Sequence, residues 1–189
     1  MKINNVNIYG LNESIRASKF PKSTNISTLT DELTEGIERL AGAPIGSGHD
    51  NWLNGVVVQF DLTASLKFWP QFQRYHFADF VSSQSIMHRI TRFNIPEQCN
   101  QYVTGIAIKN LQALVDIYNK NPCDENYLRV LYNIPSGFEL TARITTNYRQ
   151  LKTIYKQRSI HRLPEWRKFC DWIRGLPHSE WITGEAKHD

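Results

Sequence analysis

Between Trp69 and Arg89 the chain reads WPQFQRYHFADFVSSQSIMHR, with Gln71, Arg74, His76, Asp79, Ser85, His88 and Arg89 set among aromatic rings. A helix that only covers a core shows one apolar stripe and one wet face. This stretch instead mixes polar groups of specific shape into its aromatics. Read as a helix, it places Gln71, Arg74 and Ala78 on one face at i, i+3 and i+7. That face is either a core surface with an incidental Arg74–Asp79 ion pair or a surface turned to a ligand. The second half adds Arg129, Arg143, Arg149, Lys152, Lys156, Arg158, Arg162, Arg167 and Lys168. On pattern alone these cations fit a solvated helix face. One spacing argues for more: Asn147 and Arg158 are eleven residues apart, three helical turns, on a face about 16 Å from end to end. That is the reach of a nucleotide or of part of a flavin, and Arg suits bidentate contact with phosphate.

Other chemistries lack their residues. There is no nucleophile elbow, P-loop or dinucleotide glycine fingerprint. Gly46-Ser47-Gly48 is too short for a phosphate loop and reads as a turn. No carboxylate pair stands out as general acid and base. Cys99, Cys123 and Cys170 are an odd number without CxxC spacing, which argues against a disulfide framework or a zinc site and for a reducing, cytoplasmic setting. The net charge of +4 and pI of about 9.0 suit any anionic partner and single out none. No apolar run approaches a membrane span, and the first twenty residues lack a signal-peptide core.

These side chains need elements to position them. The 189 residues suggest one domain, 1–189, with a real core. A short strand is expected over 6–10 and a helix over 27–42, ended by Gly42. A turn-rich loop follows over 43–55, then an alternating β-branched strand over 56–64. A mainly helical stretch is expected from about Pro70 to Ile90, with Pro70 in its first turn, and another helix starting near Pro96 and running toward Lys120. Residues 135–146 begin as a turn and continue as a strand. Helices follow over 147–158 and 164–176. The class is α+β, a small sheet with helices gathered around it.

With the motifs placed in this order, the whole chain resembles the flavin-dependent thymidylate synthases. Their signature is R-H-R-x-x-S followed by a Q-S-x-R-Y type segment, on a helix after a strand. Gln71-Phe72-Gln73-Arg74-Tyr75-His76 follows the strand ending near Phe60 at the family's spacing, with Arg74, Tyr75 and His76 on R-H-R. Gln84-Ser85-Ile86-Met87-His88 resembles Q-S-x-R-Y with one extra residue in between. Gly48-His49 sits upstream of the strand where the family has Gly-His. Residues 13–18, ESIRAS, resemble its early Ala-Arg-x-Ser region. The most specific match is IPSGFELTARITTNYRQLKTIYKQR, which has the family's Leu-Pro turn, strand, Thr-x-Asn-x-Arg and terminal Leu-Arg. Another frame, with Met87-His88-Arg89 on R-H-R, breaks the strand-to-helix spacing.

The resemblance implies an α+β fold with a small antiparallel sheet. It implies flavin- and folate-dependent transfer of a one-carbon group to C5 of a pyrimidine deoxynucleotide, dUMP to dTMP or a hydroxymethylated variant. FAD is the implied cofactor, NADPH and methylenetetrahydrofolate the co-substrates, and a homotetramer with sites between subunits the assembly. Arg74 and Arg158 would meet the pyrimidine with Gln71 beside them. Ser85 would hold the phosphate region, Arg89 would substitute for the arginine missing at Met87, and Arg129 would stand for an Arg that the family places shortly before its Leu-Pro, here two residues too far upstream. His49, His76, Asn147 and Arg149 would face the flavin. The departures are also specific. R-H-R has become Arg74-Tyr75-His76, Asp79 replaces the following Ser, and Met87 replaces the Arg of Q-S-x-R-Y. Losing one charge-assisted phosphate contact costs about 1.5–3 kcal/mol. A catalytically inactive nucleotide-binding or regulatory homologue is therefore the alternative. A nucleic-acid-binding protein, resting on charge and aromatics alone, ranks third.

Overall fold

The computed structural model describes residues 1–185. Its frame is a four-stranded antiparallel sheet in the order β1-β2-β4-β3, built from β1 (Lys2–Tyr9), β2 (Val57–Ser65), β3 (Asp79–Ser83) and β4 (Glu139–Asn147). Alternation in β2 and β4 sends Val58, Phe60, Leu62, Ala64, Ala142 and Ile144 to one face, where all are buried. The opposite face carries Gln59, Asp61, Thr63, Thr141, Arg143 and Thr145, which pair across the two strands. Thr63 and Thr141 hydroxyls meet at 2.8 Å, and Arg143 lies 3.1 Å from Asp61.

Helices cover the apolar face and the strand ends. In chain order they are α1 (Leu11–Ala17), α2 (Glu35–Ala41), α3 (Trp69–Phe72), α4 (Ile86–Arg89), α5 (Ile95–Gln98), α6 (Gly105–Lys120), α7 (Asp124–Tyr132), α8 (Tyr148–Arg158), α9 (Pro164–Arg174) and α10 (Glu180–Thr183). α9 lays Trp166, Phe169, Cys170 and Ile173 onto the sheet, an i, i+3, i+4, i+7 stripe. A second core of Ile90, Ile95, Leu111, Val115, Val130, Phe138 and Leu140 lies under α6 and α7. No helix among the described residues is long and apolar enough to cross a membrane.

Three expected helices are corrected. The one over 27–42 shrinks to α2, because side chains of α1 and of the turn after it take carbonyls that its first half would need. Arg16 donates to Leu29 O and Ile26 O at 3.0 and 2.8 Å, and Lys19 to Thr30 O and Glu32 O at 2.9 and 2.8 Å. The one from Pro96 is broken at Cys99, where the chain bridges Phe138 and Asn100 N donates to Gly137 O at 3.0 Å. It restarts at Thr104, whose hydroxyl caps Ala107 N at 3.3 Å.

The third correction matters most. The stretch from Pro70 to Ile90 is helical only at its two ends, in α3 and α4. Its middle is the edge strand β3, paired with β4 from Asp79↔Thr145 to Ser83↔Ala142, with an irregularity between Phe80 and Ser82. Gln84 prolongs the ladder: its N–H donates to Thr141 O, and its Oε1 accepts from Thr141 N, both at 2.9 Å. Gln71, Arg74 and Ala78 therefore share no helix face.

Between α2 and β2 the chain is tied down by a fully buried carboxylate. Asp50 accepts from Arg149 Nε at 3.3 Å and Lys152 Nζ at 3.2 Å. Lys152 also donates to Ala41 O and Ala43 O, both at 2.6 Å. Removing one partner of a buried ion pair strands the others. Asp50→Ala is expected to lower unfolding stability by about 3 kcal/mol in chemical denaturation. A loss under about 0.5 kcal/mol, the size of an ordinary surface substitution, would show that the loop is held by other contacts.

Candidate functional site

β4 passes into α8 without a loop. Asn147 is the last residue of the strand, opposite Val57, and also the N-cap, its Oδ1 accepting from Gln150 N at 2.8 Å. Tyr148 N donates to Val56 O at 3.0 Å, and the hydroxyl of Thr146 donates to Phe77 O at 2.7 Å. The amino end of α8 thus draws in two segments that the sequence marked. One is His76-Phe77, with both rings exposed and 4.6 Å apart. The other is His49-Asp50, bound through Arg149. Asn147 and Arg149 form this end, and His49 and His76 stand next in sequence to the Asp50 and Phe77 that it binds.

The carboxyl end of α8 carries a second group. Arg158 Nε donates to the Tyr75 hydroxyl at 2.7 Å. Its guanidinium carbon lies 4.8 Å from the Trp166 ring centre, a cation–π contact. The Trp166 indole N–H donates to Gln71 Oε1 at 2.9 Å. Gln71 and Arg158 therefore meet through one tryptophan, and exposed Arg74 adjoins them by its place before Tyr75. Burial raises the Tyr75 phenol pKa, with Arg158 working against that rise. The phenol stays protonated and available as both acceptor and donor.

Ser85, Arg89 and Arg129 stand apart. Ser85 precedes α4, and Arg89 is its last residue. The Tyr127 hydroxyl of α7 donates to Met87 O. Arg129 is exposed and paired with Glu125 one turn back. Among the described residues no hydrogen bond or ion pair joins these three to the groups on α8. A cleft of about 520 Å³ opens elsewhere, between Lys67, Tyr102, Thr104, Pro135 and Pro164, and none of the ten candidates lines it.

Sequence reasoning missed the residues that organise the site. Trp166 fits the apolar stripe of α9 and gave no sign of lying under Arg158. Tyr75 stood out only as a departure from R-H-R. Glu165, 8% exposed, accepts from Ser65 N at 2.9 Å and Ser65 Oγ at 2.6 Å, so it pins the first turn of α9 to the end of β2. Asp50 adjoined His49 in plain view, but its partners lie 99 and 102 residues away. Burial pushes the Cys170 thiol up to about 11, so no thiolate is on offer inside the core.

No family model matches the sequence, and no curated protein matches it. Solved structures do match the backbone. Thymidylate synthase X (ThyX) from Helicobacter pylori with FAD and dUMP superimposes with a TM-score of 0.77 at 15% identity, over 98% of each chain. A structure of the flavin dependent thymidylate synthase ThyX from the same organism, complexed with FAD and dUMP, gives 0.74 at 14% identity, again over 98% of each chain. The fold is that of the flavin-dependent thymidylate synthases, as the residue resemblance implied.

His161 reports on this site. Burial, then the charges of Arg158 and Arg167, hold its pKa below the ordinary 6.5. Its Nδ1 accepts from Leu163 N at 3.0 Å, a bond that protonation at Nδ1 would break. Between the folded value and 6.5 the unfolded chain binds the extra proton, so this group's contribution to stability falls as pH drops through 6.5. Imidazole NMR titration is expected to show an upward shift in Arg158→Ala and in Arg167→Ala. An unchanged His161 titration in both variants would rule out the coupling.

Proposed function

We propose that this chain binds a flavin and a pyrimidine deoxynucleotide and transfers a one-carbon unit to C5 of the pyrimidine, from dUMP to dTMP or to a hydroxymethylated product. One coincidence carries the reading. The fold matches structures holding FAD and dUMP over 98% of both chains, and seven of the ten residues selected by resemblance lie on α8 or beside the segments bound to its two ends.

The donors at the amino end of α8 fit an acceptor-rich flavin. Asn147 keeps Nδ2 for a ligand because its cap uses Oδ1. Arg149 keeps its terminal nitrogens because Asp50 takes Nε. His49 and His76 are exposed. When bound, FAD supplies the redox chemistry, with NADPH as electron donor and methylenetetrahydrofolate as one-carbon source, so no side-chain nucleophile is required. Arg74 and Arg158 stabilise the negative charge that develops on the pyrimidine ring. Ser85, Arg89 and Arg129 hold the phosphate region. Their place on α4 and α7, away from α8, suits a homotetramer in which one copy's phosphate face closes over another copy's ring site.

A second reading is favoured by Met87. It stands where the family has Arg and is 60% exposed, so the phosphate region loses a cation. A chain that binds nucleotide without turning it over is the outcome that reading expects.

The decisive measurement is an FAD titration of the purified protein with and without dUMP, followed by visible absorbance and flavin fluorescence. Saturable binding perturbed by dUMP is expected, with NADPH oxidation dependent on both. Arg74→Ala is expected to abolish turnover and leave flavin binding intact, because the residue is exposed. Flavin and nucleotide binding without NADPH oxidation would select the inactive homologue. Failure to bind flavin under any condition would overturn the proposal.

A further inference from the structure

A guanidinium offers its five N–H donors along two edges, one containing Nε and one formed by the two terminal nitrogens. In Arg158 the first edge is taken. Nε donates to the Tyr75 hydroxyl at 2.7 Å, and that hydroxyl donates to Gln157 Oε1 at 3.0 Å. One face is also covered, because the Trp166 ring lies 4.8 Å from the guanidinium carbon. Neither contact is loose. Tyr75 is 9% exposed and Trp166 fully buried. Trp166 is fixed in its plane by Gln71 at 2.9 Å, and the turn before it is fixed by Glu165 on Ser65.

Resting on the proposed nucleotide site, we infer that Tyr75 is a positioning residue. With Trp166 beneath, it holds Arg158 so that the edge formed by the two terminal nitrogens is the one turned to the acceptor atoms of the ligand. The phenol at this position is the departure from R-H-R already noted. A protonated imidazole there would offer Arg158 a second cation and no acceptor, whereas a phenol accepts from Nε throughout the physiological range.

The test is a double-mutant cycle on the full chain with FAD bound, using dUMP as the probe and calorimetric Kd as the readout. Tyr75→Phe removes one oxygen and keeps the ring. It is expected to weaken dUMP binding about tenfold when Arg158 is present and to have no effect in an Arg158→Ala background, with FAD affinity unchanged throughout. Gln157→Ala, at an exposed position, is a second route to the same end and should cost about threefold, again only with Arg158 present. Equal losses in both backgrounds would show that Tyr75 acts by general packing and would overturn the inference. So would unchanged affinity in Tyr75→Phe and Gln157→Ala while Arg158→Ala binds weakly. Unchanged affinity in Arg158→Ala itself would overturn the nucleotide site, and the positioning role with it.

Discussion

The absence of a loop between β4 and α8 is the constraint on which the rest of the molecule depends. Asn147 closes a strand ladder and opens a helix in the same residue, so α8 has no freedom to swing relative to the sheet. Eleven residues later, about 16 Å along the axis, Arg158 is placed as firmly as a residue of the sheet itself. The remaining pieces are gathered by contacts to this one continuous element. Phe77 is reached from Thr146, Asp50 from Arg149 and Lys152, and Tyr75 and Trp166 from Arg158.

Two buried carboxylates support this arrangement by different means. Asp50, fully buried, is balanced by two cations. Glu165 is satisfied by a backbone N–H and a hydroxyl of Ser65. Each ties a segment distant in sequence to the α8 neighbourhood, and neither faces the ligand in the proposed site. The polar groups that need burial are thus spent on holding the frame, and those meant for chemistry keep at least one edge open.

What could be read from the sequence follows the range of the interactions involved. β2, β4, α8 and α9 were legible because alternation, an Asn cap and a Pro at the first helical turn are local signals. β3 was not. Its residues become a strand because β4 has an open edge beside them, and no propensity within 70–90 states that. The shortened α2 has the same kind of cause, since Arg16 and Lys19 take carbonyls ten or more residues away. Among the site residues, the meeting of Gln71 with Arg158 was implied by resemblance, but the tryptophan between them was hidden inside an ordinary apolar stripe. Arg129 was picked by resemblance, two residues upstream of the family's Arg before Leu-Pro, and its pairing with Glu125 a turn away is equally well explained as a surface feature.

The edge strand β3 has one more consequence. All five of its residues are exposed, and an unpaired strand edge is a template on which another chain's backbone can add itself. Here the template is short, carries Asp79 at its start, and is interrupted between Phe80 and Ser82, where the irregularity spoils the run of evenly spaced donors and acceptors. Along and beside this edge Phe77, Phe80 and Val81 are exposed to 52%, 37% and 61%. A short, charged and interrupted edge of this kind is a poor template for open-ended growth of the sheet.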